Sequence, residues 1–390
     1  VGPIRVLRSF FFLSHITAIL LPNMELSRQG ALPAEQLQQL MDSGFIKGAD
    51  TTHVSPASLD LTLSDEVYEI EGLLLPKSGE TIKSLLPLMD AKRIDFSNPC
   101  RAKKLYLARL NESLELPSAI YGYCNPKSST GRLDVHVRVL ADGVPRFDSV
   151  TPKGFAGELW VAIIPQSFSV QLHVGTPLTQ LRLFTADTRF TELDLEIAMK
   201  EGLVFGRESG EKLLYSELVT NDQDGAVVLT ALVEDGLCGY ECIATSDQII
   251  DVAKVGDYEA SEFFMPLTID RGALRLKRDR FYILSGAEAV RIPPGLASEM
   301  VPMDERSGDF RSHYAGFLDP GWGYGQDGAG KGRPFTLEVR PFEDLVVRPG
   351  QPIAKIRFER MAEVPTFHYD TKQSNYLIQF GPKLGKQFKS

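Results

Sequence analysis

Tyr106–Pro126 reads YLARLNESLELPSAIYGYCNP, and Tyr282–Pro302 reads YILSGAEAVRIPPGLASEMVP. Tyr282 follows Tyr106 by 176 residues and Pro302 follows Pro126 by the same 176. The tyrosine, an internal proline and the closing proline recur in place, with apolar residues alternating between them. The register continues into Gly157–Phe184 (GELWVAIIPQSFSVQLHVGTPLTQLRLF) and Phe335–Phe358 (FTLEVRPFEDLVVRPGQPIAKIRF). Ala162 and Glu338 again lie 176 apart, and Gly175 and Gly350 lie 175 apart, so one single-residue indel aligns the copies. A shared register over this length means a tandem duplication, and its repeat unit sets the architecture.

Each copy alternates apolar and polar residues with period two, is rich in Val, Ile, Leu, Phe and Tyr, and is punctuated by Gly, Pro and Asp. That pattern predicts mainly β structure. Leu172–Phe184 and Val346–Phe358 read as hairpins turning at glycine. Helix is scarce. Its clearest case is Leu32–Ser43, opened by Pro33 and Glu35, with Leu37, Leu40 and Met41 forming an apolar face. The 390 residues divide into an extension (1–23), a first β domain (24–185), a linker (186–212), a second β domain (213–362) and a tail (363–390).

A formal net charge of −9 argues against a nucleic-acid surface but leaves room for a locally basic pocket that takes a small anion. Four cysteines are too few for a disulfide scaffold in a chain of this size. Cys238 and Cys242 have no neighbouring Cys or His pair in sequence to complete a zinc site, and read as ordinary thiols. The apolar run in Val1–Asn23 follows Arg5 and Arg8 like the start of a secretory signal, yet is short for a membrane span. It reads as an upstream extension, and the protein as cytoplasmic.

Asn125–Arg132, NPKSSTGR, falls between strand-like runs. Backbone N–H groups, two hydroxyls and fixed positive charge converge there in a tight turn, the chemistry that cradles a polyphosphate.

These segments carry a family resemblance. Leu32–Leu63 with VSPASLDLTLS at Val54–Ser64 resembles the amino-terminal helix and first strand of the dCTP deaminases, within the dUTPase-like superfamily. Lys127-Ser128-Ser129-Thr130-Gly131-Arg132 is similar to the family's phosphate loop, R-S-S-x-x-R, with lysine leading. Asp319-Pro320-Gly321-Trp322 matches its D-P-G-W turn, Thr336-Leu337-Glu338-Val339 its glutamate strand, and Tyr376–Gly381 its tail, with Gln379 at the glutamine place. Tyr369 is one residue off register for another tail aromatic. The match runs from Gly30 to the end and is closest to the two-copy form. It implies a duplicated dUTPase-like distorted β-barrel or jelly roll.

The copies differ in what they keep. The first has the serine loop but Ala162 where the second has Glu338; the second has Glu338 and the DPGW turn but Met303-Asp304-Glu305 where the first has Lys127-Ser128-Ser129. Adjacent carboxylates repel a triphosphate. One composite site drawn from both copies is therefore expected. The insertion Gln326–Pro334 (QDGAGKGRP) reads equally as a lid or as a surface loop.

The resemblance implies hydrolysis of dCTP to dUTP and ammonia. The zinc-deaminase constellation, H-x-E…P-C-x-x-C, is absent from the sequence, so a carboxylate without zinc is expected to act, and Glu338 is the candidate base. Working near neutral pH requires burial to raise its pKa. By resemblance, the backbone near Ala315 reads the cytosine edge, Trp322 walls the pocket beside Asp319, and Lys127, Ser128, Ser129 and Arg132 hold the phosphates. Mg²⁺ would ride on the nucleotide. Tyr369, Tyr376, Gln379 and the basic tail (Lys383, Lys386, Lys389) would close over the triphosphate. The resemblance further implies a homo-oligomer, with a trimer favoured, and possible inhibition by dTTP. Two alternatives stand beside this reading. One is a dUTP pyrophosphatase or a bifunctional enzyme, for which Phe155–Glu158 resembles a uracil-reading hairpin and Asp148 is the loosely placed acid. The other is a catalytically silent nucleotide-binding regulator.

Overall fold

The computed structural model describes residues 28–218, 223–301, 303, 310–312, 316–371 and 381–389. The chain is mainly β, as its alternation predicts. In the first copy, a ten-stranded sheet runs through Val135–Ala141, Ala156–Pro165, Tyr106–Glu115, Ser58–Glu69, Pro177–Phe184, Tyr121–Pro126 and Ser149–Val150, with three short strands off this path. The long strand Ser58–Glu69 is its spine. The register against Tyr106–Glu115 shifts between Leu63 and Val67, a bulge that lets one strand serve two faces of the core. The second copy splits into a five-stranded sheet centred on Tyr282–Ser285 and Thr336–Pro341 and a four-stranded sheet centred on Pro352–Arg360 and Leu296–Val301.

The duplication is visible pair by pair. Tyr106 faces Ile163 and Leu107 faces Ala162; in the second copy Tyr282 faces Val339 and Ile283 faces Glu338, at the same offset. Each tyrosine hydroxyl accepts a backbone N–H from five residues earlier, Arg101 or Lys277, at 2.8 Å. Glu112 accepts the backbone N–H and hydroxyl of Thr62, and Glu288 does the same for Thr230. Both are sheltered carboxylates whose hydrogen bonds offset the cost of burial.

The expected amino-terminal helix spans Ala34–Asp42, with Pro33 as its cap and Leu37 and Leu40 fully buried. The interval read as a linker contains a nine-residue helix, Glu192–Lys200, and the strand Val204–Gly206. Thr191 and Asp194 form a capping box at that helix, a signal present in the sequence.

The two copies share a core. Phe168 of the first packs edge-on to Phe263 of the second at 5.5 Å, and the tail's Phe388 packs on Phe263 and Phe264. Ser169–Gln171 pairs in parallel with Ile249–Asp251 across the junction. Arg182 is buried completely at the same junction. Its five N–H groups donate to Ala57 O, Ser298 O, Glu359 Oε1, Leu318 O and Asp319 Oδ1 at 2.7–3.2 Å. One guanidinium thus ties a first-copy strand to three segments of the second.

Candidate active site

A cleft of about 730 Å³ opens between the copies. Eight of the expected site residues line it: Lys127, Ser128, Ser129 and Arg132 from the first copy, Asp319, Trp322 and Glu338 from the second, and Tyr369 from the tail. Ala315, Tyr376 and Gln379 lie outside the described residues, as do Asp304 and Glu305.

The tight turn expected of the serine loop is one helical turn, Ser128–Gly131. Its N–H groups are partly engaged by Lys127 O, and Thr130 Oγ1 donates to Leu178 O, which pins the loop to the neighbouring strand. Arg132, one turn on, donates from Nε to Ser128 Oγ at 3.1 Å and from Nη1 to Lys383 O in the tail at 2.9 Å. The same Nε lies 3.7 Å from Glu338 Oε1, reaching across the copies. Lys127 is hydrogen-bonded to Asp60 Oδ2, and Gln180 donates to Asp60 Oδ1 at 3.0 Å.

Glu338 stands on the strand Thr336–Pro341, whose remaining residues are mostly apolar and buried. It is 4% exposed. Burial pushes its carboxyl up to about 7, against the opposing pull of the Arg132 guanidinium. Its Oε1 accepts no hydrogen bond among the described residues. An exposed carboxylate on a strand's outer face would have neither property.

Asp319 lines the cleft, but its carboxylate is turned toward Arg182 and, at 3.4 Å, Ser58 Oγ. Gly321 has φ +89°, and a Cβ there would fall 2.3 Å from the His368 ring, so the DPGW turn requires glycine. Trp322 stacks on Phe335 at 5.8 Å and meets Tyr369 at 4.9 Å. Tyr369 N donates to Pro320 O, fastening the root of the tail to the turn. The insertion folds back on Tyr324: Gly330 N donates to Tyr324 O, and buried Asp370 pairs with Arg333 at 2.7 Å while accepting from Gly325 N. In this conformation it is a packed loop tied to the tail.

Lys386 of the expected basic tail also lines the cleft, as do Asp60, Gln180, His173 and Gln387, which sequence reasoning passed over as site residues. Asp60 had a readable signal. Ser58, Asp60, Thr62 and Ser64 alternate with Leu59, Leu61 and Leu63 on one strand, a polar face inside a buried element.

In the first copy, the place of Glu338 is closed. Ala162 packs with Leu107, Leu140 and Trp160 under Ile82, Leu85 and Met89, which come from the short helical segment near residues 82–89. Asp148 lies outside the cleft lining. It pairs with Arg138 at 2.8 Å and accepts from Val139 N, while burial pushes its carboxyl up to about 6. All four cysteines are buried and unpaired with one another.

The model of the dCTP deaminase N-terminal domain matches residues 28–187, and that of the C-terminal domain matches residues 201–388. The chain belongs to the dCTP deaminase family. The crystal structure of 2'-deoxycytidine 5'-triphosphate deaminase from Agrobacterium tumefaciens is similar over 87% of this chain and 97% of that one, with 32% identity and a TM-score of 0.77. No curated protein sequence gives a match. Among the described residues, no helix is long and apolar enough to cross a membrane. The two-copy, mainly β deaminase architecture expected from the sequence is thus shown.

Proposed function

We propose that this dCTP deaminase works through one composite site in which the first copy grips the triphosphate and Glu338 of the second acts on the base. The supporting observation is the convergence in one cleft of the serine loop with a buried carboxylate whose Oε1 accepts no hydrogen bond among the described residues. A pKa near 7 leaves a usable fraction ionised at neutral pH, and the same group can then return a proton.

In the reaction, ionised Glu338 takes a proton from water as the water oxygen bonds to cytosine C4. That proton passes to N3. The proton of the new C4 hydroxyl then travels by the same carboxylate to the 4-amino group. The C–N bond breaks, ammonia leaves, and C4 becomes the carbonyl of dUTP. Arg132 holds the carboxylate's position and donates to Ser128, linking the acid to the phosphate loop. Lys127, Ser128 and Ser129 take the phosphates, with Lys127 exchanging Asp60 for a phosphate oxygen. Mg²⁺ would ride on the triphosphate and screen its charge, with Asp60 the acidic group beside Lys127. Trp322 braces the wall, and Tyr369, Lys386, Tyr376 and Gln379 close the tail. Trimer assembly and dTTP feedback rest on the resemblance, and a cytoplasmic setting on the reading of residues 1–23.

Ammonia release from dCTP by the wild type and Glu338→Gln, measured with dCTP binding, tests this reading. Loss of ammonia with binding retained within about tenfold is expected, since a general base contributes to the chemical step rather than to uniform binding. Normal turnover by the variant would remove Glu338 from the role. Pyrophosphate from dUTP with no ammonia from dCTP would replace the activity altogether.

A further inference from the structure

Two ion pairs cross between the copies in matching order. Arg132 and Asp134 follow the serine loop on one side; Glu338 and Arg340 alternate along the strand Thr336–Pro341 on the other. The charges are reversed from one pair to the next, so the strand can sit against the loop in one register only. The pairs differ in tightness. Arg132 and Glu338 stand 3.7 Å apart, whereas Arg340 Nη2 donates directly to Asp134 Oδ2.

We propose that the Asp134–Arg340 pair is a register clamp for the composite site: it holds the second copy's strand at the spacing that keeps Arg132 from closing onto Glu338. The clamp is built on both sides. Asp134 is fully buried in a left-handed backbone conformation, with φ +52°. Its N–H donates to Gly131 O at the end of the loop, and its O accepts from Gln166 N at 2.9 Å. Ser167 Oγ bonds Asp134 Oδ2 and also accepts from Arg340 Nη2 at 3.2 Å. Arg340 Nη1 donates to Asp279 O, so the guanidinium is anchored within its own copy as well.

Neither residue lines the cleft, so both are positioning residues. Without the clamp, the bare attraction between a guanidinium and a carboxylate under low dielectric would draw Arg132 onto Glu338. The oxygen that must take a proton from water would then be spent on an ion pair. The inference rests on Glu338 being the base.

The test compares Arg340→Met, Arg340→Lys and Glu338→Gln for dCTP turnover per folded molecule. The phosphate-gripping loop belongs to the first copy, so Arg340→Met is expected to lower kcat by about 10- to 100-fold, as ångström-scale misplacement does. KM should stay within about threefold, because uniform binding is untouched. Arg340→Lys keeps the charge opposite Asp134 and should recover most of the lost kcat. If Arg340→Met does not fold, Asp134→Asn carries the same comparison, removing the charge with the shape and one acceptor oxygen kept. A kcat within about threefold of wild type in the charge-removing variant, with Glu338→Gln inactive, overturns the clamp and leaves the base assignment standing. An Arg340→Lys enzyme as impaired as Arg340→Met also overturns it, since a cation opposite Asp134 would then not be what holds the register. Normal turnover by Glu338→Gln removes the base instead.

Discussion

Glu338→Gln should leave two signatures that share one origin, the burial of a carboxylate. In the wild type the carboxyl titrates at about 7 rather than 4.5. The ionised form is the base, so kcat/KM should fall on the acid side of about 7, losing about tenfold per pH unit well below it. The same displacement makes folding pH-dependent. Below pH 4.5 the group is protonated in both folded and unfolded chains and contributes no difference. Between 4.5 and 7 the unfolded chain gives up the proton and the folded chain keeps it, so the folded state binds more protons and stability falls as pH rises. Above 7 the buried charge is carried in full. At about 1.4 kcal/mol per pH unit, the interval from 4.5 to about 7 corresponds to about 3 kcal/mol. Glutamine never ionises. The variant should therefore match the wild type near pH 4.5 and become progressively more stable toward pH 8, by up to about 3 kcal/mol, while its turnover drops by about 10²–10⁴. Paired denaturation and ammonia-release series across pH 4.5–8.5 read both effects. A stability difference that stays flat across this range, or an acid limb near 4.5, would refute the claim that burial tunes this group.

Three further outcomes are expected. Ser128→Ala with Ser129→Ala should weaken dCTP by more than about tenfold, because each hydroxyl lost to a charged acceptor is worth about 1.5–3 kcal/mol. Deoxycytidine binding, measured calorimetrically, should barely change, and equal losses would move the phosphate site elsewhere. Arg182→Met should destabilise the protein by about 3–5 kcal/mol, since Asp319 and Glu359 would be left buried without their cation; a denaturation midpoint unchanged from wild type would contradict that. The thiols should resist a disulfide reagent until the chain unfolds, because all four are buried and Cys100 is pushed up to about 12. Fast labelling of the native protein would contradict that burial.

Much of this was legible in the sequence because duplication preserves register. The offset that aligned Ala162 with Glu338 also carries Leu107, the strand partner of Ala162, onto Ile283, the strand partner of Glu338, so position in the repeat predicted position in the sheet. The serine loop and the acid were readable as chemistry, and the complementary losses of the two copies led to the expectation of one composite site. The contacts that dock the copies were not readable, since Arg182 and Phe168 look like ordinary strand residues. The helix Glu192–Lys200 escaped notice because Leu193 and Ile197 are exposed while Leu195 and Met199 are buried, which blurs its helical period. Asp319 stood out as part of a motif, yet only the fold shows its carboxylate committed to Arg182.

Ser128 and Glu338 meet within a single polypeptide, and the reciprocal position beside Ala162 is filled with Ile82, Leu85 and Met89. On the proposed roles, two crippled chains are expected not to rescue each other. Mixing a serine-loop variant with an acid variant should then produce no working centre, in contrast to enzymes whose halves come from separate subunits.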